Sequence, residues 1–313
     1  MHEMAVAMAR GERPGGVDGF AVVDKEAGWT SHDVVAKARG ILGTRKVGHA
    51  GTLDPDATGV LILGIGRGTR LLQFVSGLSK QYTAEFVFGT STSTLDSSGD
   101  VVATFDMSHL DDAQVQAAAS AFLGPIEQIP PMVSAIKIGG RRLHELAREG
   151  IEVERPPRPV TIHRFDLEPL GAERVANDGS PEARVWRVLV ECTSGTYIRT
   201  LAADLGAALG GGAHLRNLRR TAIGSFTDAE AVPLAQVQAR PLVEALRDLP
   251  SHTVDPDTAA LVRTGRVFDA AAWGLLDATG PWAVLSPDGD LLAVYQAHSG
   301  GRVKPAVVLS SES

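Results

Sequence analysis

A single cysteine, Cys192, stands among the 313 residues. One thiol cannot form an intrachain disulfide or supply a Cys-rich zinc site, so the composition points to a reducing, cytoplasmic compartment. Aromatic residues are scarce at 5%, and no unbroken apolar stretch is as long as the roughly 20 residues needed to cross a bilayer. The first sixteen residues, Met1 to Gly16, place Glu3 ahead of a short Ala/Met/Val run, which is not the pattern of a secretory signal. The chain reads as soluble, with no membrane partner. Positive charge is also short, with 30 Lys and Arg against 37 Asp and Glu, a net charge of −7. Any hold on a phosphate backbone must therefore come from local basic patches.

Other chemistries are missing as well. Gly64-Ile65-Gly66-Arg67-Gly68-Thr69 has threonine where a dinucleotide fingerprint needs its third glycine, and no Gly-Lys-Ser/Thr triplet closes a phosphate loop. His144-Glu145-Leu146-Ala147-Arg148 has arginine where a zinc protease needs its second histidine. The nine histidines are scattered, and no metal site is expected.

What is present suffices for a sizeable core. Apolar residues make up 44%, and the length suits one large domain with an appendage, or two domains. Residues 1–16 read as a mobile leader. Gly19 to Asp24 reads as a buried strand, followed by Ser31 as N-cap of a helix carrying Val34, Val35, Ala38 and Leu42. Tyr82, Ala84, Phe86 and Phe88 alternate as one face of a strand, and Val115, Ala119 and Phe122 have helical spacing. Trp186, Val188, Val190 and Cys192 share a strand face, which makes the cysteine a core residue. Thr193 to Thr196 turn into a helix with Arg199 in its first turn, where the helix dipole disfavours a cation. That placement suggests an anionic partner. From about Pro250 short strands and tight turns take over, with a hairpin around Pro287-Asp288-Gly289. From Lys137 to Arg164 seven Lys/Arg face four Asp/Glu, a local +3 that marks residues 128–164 as an inserted basic arm.

The densest segment is Lys46-Val47-Gly48-His49-Ala50-Gly51-Thr52-Leu53-Asp54-Pro55-Asp56-Ala57-Thr58-Gly59. On residue chemistry alone it is a glycine-rich loop with an Asp-Pro turn, and Asp54 is either a turn residue or a reactive carboxylate.

At these residues the chain resembles the bacterial tRNA pseudouridine-55 synthases. The matching pieces are Val23-Asp24-Lys25 with Gly28-Trp29-Thr30-Ser31, Gly48 to Pro55, and Lys80-Gln81-Tyr82, followed by Pro130 to Lys137, Gly195 to Leu201, and Gly212 to Leu215. They run in family order across residues 20 to 220. The resemblance implies an α+β pseudouridine-synthase fold, with a mixed, mostly antiparallel central sheet, flanking helices and a small C-terminal β domain of PUA type. It divides the chain into a catalytic domain at 17–247, with the arm gripping RNA, and a β domain at 248–313. From Glu230 onward ten acids face six bases, so weak RNA contact is expected of that last part.

The implied activity is isomerisation of uridine 55 in the TΨC loop, with the T arm and elbow of tRNA as partner. The reaction is neither redox nor hydrolytic, so no cofactor is expected, nor is an obligatory protein partner, and a monomer suffices. Asp54 matches the catalytic nucleophile, Tyr82 the aromatic that stacks on the target uracil, and Arg199 the cation that would keep the aspartate ionised. Asp96 corresponds to a support for the arginine, His49 to the residue that fills the vacated stack, Leu218 to a wall of the uracil pocket, and Lys25 to the first family block. Two alternatives share these features: a synthase that depends on a guide RNA, and a noncatalytic chaperone of tRNA folding.

Overall fold

The structure, a computed structural model, describes residues 17–134, 136–173, 182–275 and 280–309, apart from the side chains of Lys137, Arg142 and His144. The expected leader lies outside the described residues. The chain divides into two compact units, one made of Met1–Pro55, Gly59–Ser76 and Gly224–Ser313, the other of Asp56–Thr58 and Gly77–Ile223.

In the first unit, strand β1 (Gly19–Lys25) pairs antiparallel with β3 (Thr58–Ile65), which also pairs antiparallel with β2 (Val47–Ala50). The segment read as one long loop is thus a hairpin whose tip carries Asp54. Its flanks are strands because Val60 to Leu63 are β-branched and aliphatic side chains, all fully buried. Helix α1 (Ser31–Ile41) buries Val34, Val35 and Ala38 in a cluster with Ala21, Val23, Leu61 and Leu63. Its N-cap is Thr30 rather than Ser31, because Thr30 closes a capping box with Asp33 while the Ser31 hydroxyl is taken up by the backbone N–H of Leu53 at 2.9 Å. Close backbone packing fixes one glycine here: a Cβ on Gly68 would lie 1.9 Å from the Gly19 carbonyl oxygen.

The C-terminal part of this unit is a five-stranded sheet. It contains the expected hairpin, Trp282–Leu285 against Leu291–His298, with Trp282, Val284, Ala293 and Tyr295 in its core. Arg67 and Arg70 donate to the carbonyls of Leu309 at 3.0 Å and Val308 at 2.6 Å, tying its last strand to the turn after β3.

In the second unit, β4 (Lys80–Phe88) lies between β11 (Ala183–Cys192) and β12 (Ala213–Ile223), and β11 continues to β10 (Arg158–Glu173) and β7 (Gly124–Gln128). All of these pairings are antiparallel. Cys192 is fully buried on β11, directly opposite Lys80, as its alternating pattern predicts. His214 to Arg220 belongs to strand β12, paired with β4. One expectation needs correction. Residues 158–164, counted in the inserted arm, begin the long sheet strand β10. The remaining arm holds a two-residue hairpin, Lys137–Ile138 with Arg141–Arg142, turned by Gly139 and Gly140 at positive φ, then a short helix, Leu143–Arg148. No helix among the described residues is long and apolar enough to cross a membrane.

Candidate active site

The Asp54 loop is held by the segment after β1. Lys25 is 1% exposed, and its ammonium donates to the carbonyls of Pro55 at 2.8 Å and Glu26 at 2.9 Å. The Gly28 N–H donates to the same Pro55 oxygen at 3.0 Å, a contact made by a residue with a φ of +82°. On the other flank of Asp54, Leu53 is buried and its N–H and carbonyl both meet Ser31 Oγ. Asp54 itself is half-buried, between two residues whose backbones are fixed from 22 and 30 positions away. Lys25 is therefore a clamp on the Asp54 loop. Lys25→Met removes two charge-assisted hydrogen bonds, with the Gly28 N–H remaining on the Pro55 carbonyl, and a loss of about 1 to 3 kcal/mol in urea unfolding is expected, together with lower kcat.

His49 lies on β2, half-buried, with its ring edge-on to His32 at 5.3 Å between centroids. Asp56 is an exposed turn residue.

The second unit brings Arg199 and Asp96 together. Helix α5 (Ile198–Ala208) starts after Tyr197, which provides no side-chain cap. Its backbone is instead gripped by Gln128, whose Oε1 accepts from the Tyr197 N–H at 2.9 Å while its Nε2 donates to the Tyr197 carbonyl at 3.2 Å. Arg199 is 3% exposed, 3.5 Å from an Asp96 carboxylate oxygen, and it donates to the carbonyls of Thr94 at 3.1 Å and Val133 at 2.8 Å. These acceptors resolve the odd position of a cation in a first helical turn: the guanidinium is stabilised by oxygens from two other segments. Asp96 is fixed in turn by Thr94 Oγ1 and Ser98 Oγ, both at 2.6 Å, next to Leu95 at a φ of +63°. The loop is anchored to β12 through Ser97 N–H to Leu215 O at 2.9 Å and Leu215 N–H to Leu95 O at 3.0 Å.

Tyr82 lies on β4, 9% exposed, opposite Val190 on β11 and Arg220 on β12. Between Arg216 and Arg219 the β12 register slips by one residue, and Asn217 has a φ of +54°. This bulge carries Leu218 one strand away from Tyr82; bulges of this kind re-aim side chains beside active sites. The basic run of β12 is not a free phosphate grip throughout. Arg216 is engaged by Glu85 at 2.7 Å and by Glu173, and Arg220 is 1% exposed. In the arm, Arg141 pairs with Glu149, and Arg155 pairs with Glu152 at 3.2 Å, so part of its positive charge is neutralised internally.

Sequence reasoning gave no individual role to Gln128, Val133, Lys80 or Arg220. The first two act through partners 69 and 66 positions away, which no local pattern reveals. The signal for Lys80 was available: a lysine two residues before Tyr82 shares its strand face, and that face is buried. Burial, followed by the Arg220 charge, pushes its ammonium down from 10.5 to about 8. Below pH 8 Lys80 is protonated in both states and the burial penalty is complete. Between about 8 and 10.5 the folded protein loses the proton before the unfolded chain does, so stability rises with pH by up to about 3 kcal/mol. Urea unfolding across that range should show the rise in wild type, and a flatter profile in Lys80→Met. An equal rise in both proteins would assign it to another group.

Among the described residues, no group of three or more His, Cys, Asp or Glu is arranged to hold a metal ion. Asp54 sits in one unit, on a loop held by Lys25 and Ser31, and the other unit holds the buried Arg199 and Tyr82 and the half-buried Leu218. Residues 39–198 match the model of the TruB family pseudouridylate synthase N-terminal domain, and 199–259 match the tRNA pseudouridylate synthase B C-terminal domain. The chain belongs to the TruB family of pseudouridylate synthases. Relatives named tRNA pseudouridine synthase B include one from Arthrobacter sp. (strain FB24), 44% identical over 94% of this chain and 97% of that protein. Another, from Nocardia farcinica (strain IFM 10152), is 45% identical over 93% of each. Of the solved structures, an H/ACA RNP bound to a substrate RNA containing 2'-deoxyuridine superposes with a TM-score of 0.66 at 22% identity, covering 94% of this chain and 85% of that one. An archaeal box H/ACA sRNP Nop10-Cbf5 complex gives 0.64 at 22%, covering 96% and 89%. At that identity the structures establish the family fold, the α+β architecture expected from the sequence.

Proposed function

We propose that this protein converts uridine 55 in the TΨC loop of tRNA to pseudouridine, with Asp54 as nucleophile. The observation that carries the reading is the 43–46% identity, over 93–94% of the chain, to proteins named tRNA pseudouridine synthase B. In the isomerisation the N1 to C1′ bond breaks, the base turns, C5 bonds to C1′, C5 loses its proton and N1 gains one. Nothing is oxidised and no water is consumed. The target must first be extruded from its stack, at a cost of a few kcal/mol. Asp54 attacks the ribose or the ring, and Arg199, braced by Asp96, stabilises its carboxylate. Tyr82 and Leu218 enclose the base, and His49 takes its place in the stack. A closed pocket matters because water would turn isomerisation into base loss. The arm adds salt-sensitive, sequence-independent affinity.

On this reading tRNA is the sole partner, and the protein acts as a cytoplasmic monomer without guide RNA. The test is pseudouridine mapping of an unmodified tRNA transcript and of a T-arm hairpin with the purified protein alone. Product at position 55 on both supports the reading. Product that appears only with an added guide RNA favours a guide-dependent synthase, and tRNA refolding with no product under any condition favours a chaperone.

A further inference from the structure

In the second unit, between β12 and the loop that carries Asp96, lie three buried polar side chains to which the proposed chemistry gives no role: His214, Thr90 and Thr92. His214 Nδ1 is 3.0 Å from the carbonyl oxygen of Thr90. A carbonyl oxygen can only accept, so the ring carries a proton on Nδ1 and donates it there. Burial pushes the imidazole below its ordinary range, an effect to which Arg216 adds and which the Thr90 bond, Asp96 and Glu173 oppose. The ring is therefore neutral at physiological pH. A buried imidazole is costly without a partner, and the Thr90 carbonyl is the partner that offsets that cost.

The bonded carbonyl lies where the Asp96 loop begins. Thr90 opens a two-stranded hairpin, Thr90–Thr92 against Val101–Thr104, directly after Gly89 turns the chain out of β4 at a φ of +104°. Residues 93–100 close that hairpin. Thr92 Oγ1 donates to the Asp96 carbonyl at 2.7 Å, and the loop's tip is tied to the Leu215 backbone through Leu95 and Ser97. Neighbours on β12 thus hold the loop at both places, Leu215 at the tip through its backbone and His214 at the root through its ring. Two of the Arg199 acceptors, the Asp96 carboxylate and the Thr94 carbonyl, lie between those ties. Resting on the proposed function, we propose that His214 is a positioning residue for the isomerisation: by holding the Thr90 carbonyl it fixes the root of the Asp96 loop, and through that loop the place of the Arg199 guanidinium.

Two substitutions separate the hydrogen bond from the packing. His214→Phe keeps a ring and removes the donor, whereas His214→Asn keeps an N–H close to the place of Nδ1 and removes most of the ring. The readouts are steady-state pseudouridine formation on a T-arm hairpin and amide hydrogen exchange over residues 90–100 of the free protein. His214→Phe is expected to lower kcat about tenfold, the factor that corresponds to one lost buried hydrogen bond, with KM changed by less than about twofold. His214→Asn should recover most of that loss. Exchange over residues 90–100 should quicken in His214→Phe and stay near wild type in His214→Asn. Because His214 acts through Asp96, the loss in the double variant His214→Phe/Asp96→Asn should fall short of the product of the two single losses. Packing alone would give the reverse order, activity kept by phenylalanine and lost by asparagine. That order, a full product in the double variant, or unchanged exchange in His214→Phe would overturn the proposal. Should His214→Phe fail to fold, Thr92→Val decides at the next bond of the chain: lower kcat with KM kept supports the proposal, and unchanged kcat overturns it. Exchange is read without substrate, so it tests the loop whatever the activity, while wild-type product at position 55 bears on the isomerase reading alone.

Discussion

Asp54→Asn is expected to lower the rate of pseudouridine formation by roughly 10⁴-fold or more, the scale seen when a nucleophile is removed from a site whose parts act as a unit. Asparagine keeps the shape of aspartate, and the loop is fixed through its neighbours, by Lys25 on Pro55 and Ser31 on Leu53. Folding and tRNA binding should therefore survive. Single-turnover mapping of position 55, run beside a binding titration and thermal melting, checks all three. Loss of product with binding retained supports the nucleophile assignment. Residual turnover near the wild-type rate would remove Asp54 from the chemistry and leave the bland reading, a turn residue at the tip of a hairpin.

The second large effect concerns Arg199. Its guanidinium meets three acceptors at once, Asp96 at 3.5 Å, Thr94 O at 3.1 Å and Val133 O at 2.8 Å, from two separate segments. A lysine ammonium has the charge without the planar fork, so Arg199→Lys cannot keep this geometry. The expected result is a fall in kcat of about 10²- to 10³-fold, the loss typical of one preorganised electrostatic contact, with a smaller change in KM. Asp96→Asn should lie between wild type and Arg199→Lys, because it frees the arginine's position without removing its charge. If Arg199→Lys instead melts far below wild type while retaining kcat, the arginine is a structural tie between two loops and the assignment fails.

Legibility differed from element to element for identifiable reasons. Strand β4, helix α1 and helix α5 were readable because one face of each is buried and the periodicity of that face is local. The hairpin around Asp54 was read as one loop, since glycines and an Asp-Pro pair at its tip masked two short strands. Strand β12 was not legible as a strand, because its register slips at Asn217 and a bulge spoils the alternation that marks one. The basic arm looked more positive in sequence than it is in space, where Arg141 and Arg155 each face a glutamate.

The sequence by itself determined which chemistry is available: a lone Asp-Pro carboxylate in a glycine-rich block, an arginine in the first turn of a helix, no metal-ligand spacing, and motifs in the order of a known family. These are properties of residue type and short spacing, which the chain carries before it folds. Only the tertiary structure decided what holds those groups. Lys25 reaches Pro55 across 30 positions, Gln128 grips Tyr197 across 69, and Arg199 finds Thr94 across 105. Contacts of such separation form when strands pair and buried polar groups must find partners, a condition that belongs to the whole fold and leaves no pattern along the chain.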